Sequence, residues 1–579
     1  MSIILLELPR PKNPNLFEDV VNAPLSACLF TGYIASVLRE NKIEVEIINA
    51  HLNDWSIEQT ITHLSNKSFQ LLCVHTVYLW ERTQDIFDML SALKTINSTV
   101  HINLYGYYPT FAYKRILESF PFIDSVTVGE PEFTTLDLTK HILSEKSNSV
   151  EKLMSNRLIK EDENTPPFSP PCEGGDRGEV NQNTFLHPPS QGGNGGVRNL
   201  FPDEMNIPGL AFRDKDGKIV FNPRPPIQNL DQLPYPDRQD IDLYKKKGIV
   251  TYIQGSRGCY GHCTFCYLNP FYGQVNLWRG RSAKKIFDEM LDLNTEHSIE
   301  SFYFSDANYF GPGKLGKERA ITLAELILAH DLNIRFGFEC RANDIEEYSL
   351  SRLVMAGLTN VFLGLESGDP ASLKRFKKHT TVDENKKAIQ LLRDYGIEPT
   401  FGFIMFEPNS TLESVRNNFE FLQEMGIMTN PAVTAHLLHH RQTIFAGTPD
   451  YQSMTREGAC TVTAFKNYEL FYRIKDPKVE AFSEIISNVC RAALSLLPKT
   501  FTCESNASKT SFESNLFVTL NNTLITIFAK TLSDFEAKRN LDNPDILKDT
   551  SRKLAHEVET IFANNQLSAI EHKPSDDRL

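Results

Sequence analysis

Short apolar runs alternate with helical repeats of apolar residues over about the first 150 positions. The runs that predict strands are SIILLEL, EVEIINA, FQLLCVHT, VHINLYG and SVTVGE. Between them, LFTGYIASVLREN and WERTQDIFDMLSALKTI place apolar residues at i, i+3, i+4 and i+7, as amphipathic helices do. This alternation predicts a doubly wound α/β domain, flavodoxin-like or Rossmann-like, over residues 1–150. Ligands of such sheets bind beyond the carboxyl ends of the strands, where Thr76, Gly106 and Gly129 would lie.

The pattern stops in the next segment, residues 151–204. Its second part is dense in proline and glycine and contains two related halves, PPCEGGDRG and PPSQGGNGG. Such a composition cannot bury enough apolar surface to offset its ordering entropy, so we expect a flexible insertion in which Cys172 and His187 have no metal role. Residues 205–245 then predict a hairpin that turns at DKDG, followed by an extended proline-rich linker.

Strand and helix patterns resume over residues 246–454. The predicted strands are IVTYIQGS, SFYFSDA, IRFGFECR, NVFLGLES, EPTFGFIMFE and PAVTAHLL. Six βα units with short connections predict a partial (β/α)6 barrel. Beyond it, VEAFSEIISNVCRAALSLL and DTSRKLAHEVETIFAN have helical spacing, so residues 455–579 are predicted to form a mainly helical C-terminal domain.

Composition agrees with a globular protein of several domains. The chain has 579 residues, too many for one hydrophobic core, and no apolar stretch approaches the roughly 18 residues of a membrane span. A net charge of −13 gives no electrostatic reason to expect a nucleic-acid partner. The start, MSIILLELPRPKNP, lacks the basic segment of a signal peptide, and we expect a cytoplasmic protein.

Three of the ten cysteines lie close together, in GSRGCYGHCTFCYL. Cys259, Cys263 and Cys266 can hold three corners of one iron–sulfur cluster, but a [4Fe–4S] cubane normally takes four cysteines and the next, Cys340, lies on a later predicted strand. One iron is therefore left open. The alternative is zinc, which is disfavoured because closed zinc sites need four ligands and only His262 is available locally.

The cysteine loop resembles that of the radical S-adenosylmethionine (SAM) superfamily, whose Cys-x3-Cys-x2-Cys spacing it matches, including Phe265 before the last cysteine. The resemblance implies that the open iron binds the amino and carboxylate groups of SAM. It also implies that one electron cleaves SAM to methionine and a 5′-deoxyadenosyl radical, which can take hydrogen from unactivated carbon. The cluster cysteines would then be the catalytic centre.

Later strands extend this resemblance. FECR (338–341) and GLESG (364–368) resemble the barrel strands that hold SAM in this superfamily. The residues so implied in SAM binding, with Phe265, are Glu339, Arg341, Gly364, Glu366 and Ser367. The alternative for each is a polar strand end in an ordinary barrel.

An α/β domain before the barrel resembles the cobalamin-dependent, B12-binding branch of the family, as do LYGYYPT, VTVGEPEFT and LDQLPYPDR. The cobalamin contacts that this resemblance implies are Thr76, Gly106, Thr110, Gly129 and Glu130. No Asp-x-His-x-x-Gly run is present, so base-off cobalamin without a histidine below the cobalt is implied. The alternative is a sheet that has lost cobalamin. The absence of Gly-x-Gly-x-x-Gly argues against NAD or FAD.

For this branch the resemblance implies methyl transfer to an unactivated carbon or to phosphorus of a biosynthetic intermediate. One SAM would methylate cob(I)alamin and another would generate the radical. A radical oxidation, cyclisation or rearrangement, as in the oxidative cyclase of chlorophyll biosynthesis, is the first alternative. A non-catalytic iron–sulfur protein that relays electrons or binds a partner is an alternative of another class. The expected partners are a small-molecule or peptide substrate and a flavodoxin or ferredoxin as electron donor.

Overall fold

Two β-sheets, each with its own hydrophobic core, organise the chain. The computed structural model describes residues 3–9, 29–76, 83–144, 206–273, 277–458, 460–461, 469–497, 511–537 and 544–571. The predicted insertion over 151–204, with Cys172 and His187, lies outside these ranges.

The first sheet has seven strands in the order β2-β1-β3-β4-β5-β6-β7. They are β1 Ile3–Glu7, β2 Val45–Asn49, β3 Leu71–His75, β4 His101–Tyr105, β5 Ser125–Thr127, β6 Leu210–Arg213 and β7 Ile219–Phe221. The first five are parallel, and every residue of β1, β3 and β4 is buried. Continuous apolar runs are expected for parallel strands covered on both faces, so the predicted α/β domain is confirmed.

Five helices cover this sheet on both faces. They are α1 Phe30–Glu40, α2 Ile57–Ser65, α3 Thr83–Ile96, α4 Tyr107–Ser119 and α5 at 132–144. One core contains the apolar residues of α1 and α5, and the other contains those of α2, α3 and α4. The two cores confirm the doubly wound arrangement.

The predicted hairpin turns where expected, between Asp214 and Gly217. The Asp214 side chain stabilises this turn by accepting hydrogen bonds from the backbone of Asp216 and Lys218. However, the hairpin is not a separate unit as we expected. Strand β6 pairs antiparallel with β5 and extends the first sheet.

The second sheet is the barrel, with parallel strands in the order β14-β13-β12-β11-β8. They are β8 Thr251–Ile253, β11 Ser301–Phe304, β12 Arg335–Arg341, β13 Leu358–Glu366 and β14 Thr400–Phe403. A short antiparallel ribbon, β9 Ser256–Gly258 with β10 Trp278–Gly280, follows β8 and leads into the cysteine loop. Five of the six predicted barrel strands are thus confirmed.

The sixth prediction, PAVTAHLL, is wrong, because these residues form a helix, Pro431–His439. Asn430 caps it by accepting hydrogen bonds from the next backbone N–H groups, and Pro431 occupies the first turn, where proline is tolerated. The helix is buried like a strand, so its apolar run gives no helical periodicity. Within the described part of the barrel, a single parallel bridge between Phe406 and Arg441 lies near the expected sixth strand.

The remaining helices surround the barrel and form the C-terminal region. They are α6 Ile241–Lys246, α7 Leu268–Tyr272, α8 Ala283–His297, α9 Gly313–Ala329, α10 Glu347–Met355, α11 Pro370–Arg375, α12 Val382–Asp394, α13 Leu412–Glu424, α14 Pro431–His439, α15 Pro449–Glu457, α16 Pro477–Leu496, α17 Ser511–Glu536 and α18 Pro544–Glu571. The predicted C-terminal helices are confirmed, with one added ribbon, β15 Cys460–Thr461 and β16 Phe471–Tyr472. No helix in the described ranges is long and apolar enough to cross a membrane.

Candidate functional site

The cysteine loop follows β9 and ends at α7. Gly258 starts it with a φ of +83°, and a Cβ there would overlap the carbonyl oxygen of Leu277, so only glycine fits. Cys259 comes next, and a turn from the Cys266 N–H to the Cys263 carbonyl oxygen (3.2 Å) holds the other two cysteines together. All three cysteines are half-buried residues. The fold therefore presents the three cysteines on one short loop.

These thiols are suited to bind a metal only after they lose their protons. Burial raises the pKa of Cys259 and Cys266, and the neighbouring Cys263 raises both further. Among the described residues no set of three His, Cys, Asp or Glu side chains already stands in metal-binding geometry. Bound iron displaces thiol protons and gathers its ligands, so the donor set fits a cluster held by three cysteines. Cys340 is buried on β12, which argues against its being a fourth ligand.

Arg341, at the end of β12, lies beside this loop. Its Nη1 is 3.7 Å from Cys263 Sγ, and its guanidinium lies 5.4 Å from the centre of the Tyr260 ring. A Cβ at Gly261 would come within 2.7 Å of the same Nη1, so that glycine lets the arginine approach. The sequence implied Arg341 as a SAM contact, and the structure places its charge next to the thiols.

Tyr260 fixes the loop in a way that the sequence did not indicate. Its hydroxyl donates to Asp344 Oδ1 (2.6 Å), and Asn308 Nδ2 donates to Asp344 Oδ2 (2.9 Å). Asp344 is buried, and an unpaired carboxylate there would be costly. The loop is therefore anchored to two later strand ends, which are distant in sequence.

Glu366 and Gly364 meet at the carboxyl end of β13. The Glu366 carboxylate pairs with Lys378 Nζ at 2.9 Å, and a Cβ at Gly364 would lie 2.8 Å from atoms of both partners. Gly364 thus leaves room for the pair. Glu366 also has a φ of +67°, next to an irregularity in the pairing with β14. Backbone strain of this kind is concentrated at functional sites.

Ser367 lies in the turn that follows β13. It is fully buried, its hydroxyl donates to Asn418 Oδ1 (2.7 Å), and it accepts from the Asp369 N–H (3.0 Å). Both bonds close the turn between β13 and α11. The Ser367 hydroxyl is therefore engaged within this turn, and the implied contact of Ser367 with SAM stays a prediction.

Glu339 is the one implied SAM contact whose carboxylate makes no hydrogen bond or ion pair with the described residues. It alternates with the buried Phe338 and Cys340 along β12, so it lies on the opposite, inner face of the sheet. Burial raises the pKa of Glu339 to about 7, with a further contribution from the charge of Asp306. A half-buried carboxyl of this kind can bind a ligand or exchange a proton near neutral pH.

We expect Glu339→Gln to remove a pH dependence of stability. The pKa of Glu339 is about 7 against an ordinary 4.5, so the folded state holds a proton that the unfolded state has lost. The free energy of unfolding of the native protein should therefore fall by about 1–3 kcal/mol, relative to the variant, as pH rises through this window. Thermal melts without SAM at pH 5.5 and pH 8 measure it. An equal pH dependence in Glu339→Gln would contradict the prediction, and exposed Glu347→Gln is the control.

Phe265 packs against a segment that follows α11. Its ring meets that of Phe376 edge to face at 5.4 Å, and the Thr264 N–H donates to the Phe376 carbonyl oxygen at 3.0 Å. The Thr264 hydroxyl donates to Asp450 Oδ2 (3.0 Å) at the start of α15. The cysteine loop is thus held between two parts of the barrel rim.

The implied cobalamin residues meet at the carboxyl edge of the first sheet. Gly106 has a φ of +114°, and a Cβ there would overlap the carbonyl oxygen of Thr76. The Thr110 hydroxyl donates to the Gly106 carbonyl oxygen (2.7 Å) and accepts from the Gly129 N–H (3.1 Å). The structure therefore brings together four of the five residues, namely Thr76, Gly106, Thr110 and Gly129.

This edge faces the segment that follows the last cluster cysteine. Tyr107, beside Gly106, contacts Tyr267 and Phe271 with ring centres 4.9 Å and 4.6 Å apart, and Phe30 stacks on Phe271 at 5.9 Å. A Cβ at Gly129 would meet only the carbonyl oxygen of Phe271, at 3.6 Å. The two candidate cofactor sites are therefore on facing sides of one domain boundary.

Glu130, the fifth residue, joins the two domains. Its carboxylate pairs with Arg257 and Arg279, both at 2.9 Å, and accepts from the Ile227 N–H at 2.6 Å. Arg257 also pairs with Glu132 (2.5 Å), and all four charged groups are buried. The Glu130 carboxylate is thus held by arginines of the barrel, and its implied contact with cobalamin stays a prediction.

Comparison with known proteins agrees with this architecture. Residues 253–422 match the family described as "Radical SAM superfamily". An uncharacterised methyltransferase of Pyrococcus horikoshii is 25% identical over 431 residues, which are 74% of this chain and 79% of that protein. The anaerobic magnesium-protoporphyrin IX monomethyl ester cyclase of Rubrivivax gelatinosus is 25% identical over 413 residues. That match covers 69% of this chain but only 62% of the cyclase, less than two thirds of its length.

The whole fold also has a solved counterpart. The cobalamin-dependent S-adenosylmethionine radical enzyme OxsB, solved with aqua-cobalamin bound, superposes with a TM-score of 0.68. The match covers 98% of this chain and 80% of that chain at 19% sequence identity. At this identity the likeness concerns the fold alone.

Proposed function

We propose that the chain is a radical SAM enzyme and, within that family, a cobalamin-dependent methyltransferase that acts on an unactivated carbon, or on phosphorus, of a biosynthetic intermediate. One observation carries the proposal: the carboxyl edge of the first sheet lies directly against the segment after the cluster cysteines, through Tyr107 and Phe271. A cofactor at that edge would share one cavity with SAM. When bound, the cluster and SAM supply the radical, and cobalamin supplies the methyl group.

The residues of the barrel have separate roles in this proposal. Cys259, Cys263 and Cys266 hold the cluster and leave one iron for SAM. Glu339 offers a carboxyl group on the inner face of the barrel that has no protein partner among the described residues. The Glu366–Lys378 pair adds a second carboxylate and an ammonium group. Phe265 keeps the loop against the rim. These side chains would orient SAM and exclude water from it.

The first sheet fits a flat cofactor bound without a histidine. The position that a Cβ would occupy at Gly129 is open except for the Phe271 carbonyl oxygen, so a ligand can approach the backbone closely. His75, the histidine at this edge, is buried, and its Nδ1 lies 2.9 Å from both carboxylate oxygens of Glu7. Its ring is therefore held inside the domain, which supports cobalamin in the base-off form with no histidine below the metal.

The wider assignments belong to the same proposal. The substrate is a small molecule or a peptide rather than a nucleic acid, the electron donor is a flavodoxin or ferredoxin, and the protein is cytoplasmic. The functional units are the cobalamin-binding domain over 1–150, an insertion over 151–204, a hairpin and linker over 205–245, the barrel over 246–454 and a helical domain over 455–579. The likeness to the cyclase favours radical cyclisation or oxidation as the second candidate.

Loading and labelling test this function. We expect anaerobically purified protein to bind about one cobalamin, and Gly129→Phe to bind less of it while keeping its iron, because the aromatic side chain fills the open space at that strand end. With methyl-labelled SAM and a reductant, the label should pass to protein-bound corrin. Unlabelled corrin, together with 5′-deoxyadenosine formation, would favour the cyclase-like alternative. Reduction without any SAM cleavage would favour an electron relay and contradict the proposal.

A further inference from the structure

A strongly basic segment, KRFKKH at residues 374–379, borders the cysteine loop. It has four cationic residues and no acidic one, in a chain whose net charge is −13. The segment begins in the last two residues of α11 and packs directly on the loop, through the hydrogen bond from Thr264 to Phe376 and the contact between the rings of Phe265 and Phe376. A strongly basic part of the barrel rim therefore lies next to the cluster ligands.

Two of the four cations are neutralised inside the protein. Lys378 is buried and pairs with Glu366, and Arg375 pairs with Glu407 at 2.5 Å. Each of these two charges is compensated by a carboxylate of the barrel. They contribute little to the field outside the protein.

The other two cations, Lys374 and Lys377, face the solvent, as does the neighbouring His379. Lys374, Lys377 and His379 are exposed, and the described residues give neither lysine an ion-pair partner. Lys377 and His379 have φ angles of +51° and +52°, which are unusual for residues with side chains and hold the segment in a tight loop. The nearby Glu384 is engaged by the Thr381 N–H in the cap of α12. The surface of Lys374, Lys377 and His379 is therefore basic.

This surface also lies close to the cluster ligands. The His379 ring is 5.8 Å from that of His262, which lies between Cys259 and Cys263. The Lys378 carbonyl oxygen accepts a hydrogen bond from Arg341, whose other nitrogen approaches Cys263 Sγ. A protein bound at this surface would thus lie one layer of side chains away from a cluster ligand.

We propose that Lys374, Lys377 and His379 form the docking surface for an acidic one-electron carrier protein. This inference rests on the proposed function, since a radical SAM cluster needs an electron for each cleavage. The carrier is oxidised by one electron and the cluster is reduced by one, with no bond formed or broken at the surface. Such encounters are small and depend on complementary charge, which raises the association rate.

The rate of cluster reduction tests the docking surface. Reduced flavodoxin is mixed with the reconstituted enzyme, and the loss of cluster absorbance is followed at low and at high salt. We expect K374E/K377E to be reduced at least about tenfold more slowly at low salt, with a much smaller difference at high salt. K374R/K377R should stay within about twofold of the native rate because its charge is kept. The affinity of oxidised flavodoxin for the enzyme should weaken in parallel.

Reduction by dithionite distinguishes a loss of flavodoxin docking from damage to the cluster site. As a small reductant it needs no protein surface, so it should reduce K374E/K377E at the native rate. K284E/K314E reverses two exposed lysines elsewhere on the barrel and should leave the flavodoxin rate unchanged. An unchanged flavodoxin rate in K374E/K377E, or an equal loss with dithionite or in K284E/K314E, would overturn the inference. If native enzyme is reduced but never cleaves SAM, the proposed function fails instead.

Discussion

Cys263→Ala is expected to lose its [4Fe–4S] cluster and to form no measurable 5′-deoxyadenosine from SAM, a fall of at least about a thousandfold. The physical reason is that two thiolates cannot hold three corners of a cubane, and the described residues provide no replacement thiol near the loop. The other described cysteines whose side chains are placed are buried elsewhere, at Cys73, Cys340 and Cys490. Iron content and product formation, measured anaerobically with a strong reductant, give the result.

Cys490→Ala is the matched control for this change. Cys490 is buried in α16, far along the chain from the loop, and should keep both iron and SAM cleavage. Cys259→Ala and Cys266→Ala should behave like Cys263→Ala. Retained SAM cleavage in any of these three loop variants would show that the assigned ligand set is incorrect.

Arg257→Met is expected to have the largest effect on stability, lowering the free energy of unfolding by about 3–5 kcal/mol. Arg257 is fully buried and pairs with both Glu130 and Glu132, so its removal leaves the buried Glu132 carboxylate without an ion-pair partner and Glu130 with Arg279 alone. Its guanidinium also lies over the rings of Phe30 and Tyr33. The loss should separate the first domain from the barrel before the barrel itself unfolds. Urea unfolding, followed by limited proteolysis of each domain, measures it.

A partly exposed ion pair provides the comparison. Arg393 is half-buried, pairs with the exposed Glu398 at 2.7 Å and donates a hydrogen bond to the Met425 carbonyl oxygen. Arg393→Met should cost less than about 2 kcal/mol because water reaches Glu398 and screens the pair. Combining Arg257→Met with Glu132→Gln should recover part of the loss, since the most buried uncompensated charge is then removed. Similar costs for Arg257→Met and Arg393→Met would contradict the role given to the boundary.

The sequence was informative where local pattern decides structure. The continuous apolar runs of β1, β3 and β4 predict parallel strands because both faces are buried, and the cysteine spacing indicates the cluster because its ligands lie on one loop. PAVTAHLL was predicted wrongly for the same reason. A helix that is mostly buried also gives an almost continuous run of apolar residues. There the cap, Asn430 followed by Pro431, was the available signal.

Long-range partners could not be predicted from one sequence. Glu130 and Ser367 both lie in motifs that resemble functional sites. However, Glu130 pairs with Arg257, which is 127 positions away, and Ser367 donates to Asn418, which is 51 positions away. Lys378 and Asp344 were missed because neither lies in a recognisable motif, although each contacts a predicted site residue or its neighbour. The sequence shows which reactive side chains are present. Tertiary packing determines which of them have polar atoms that are not already engaged in hydrogen bonds or ion pairs.

The central claim is that three cysteines hold a cubane with one iron open to SAM. It is tested most directly by reconstituting the native chain anaerobically and measuring metal content and SAM cleavage together. We expect the reconstituted protein to contain about four iron and four sulfide ions per chain. We also expect it to form 5′-deoxyadenosine only when both SAM and a reductant are present. Zinc in place of iron, or a cluster that is reduced in the presence of SAM without cleaving it, would contradict the account.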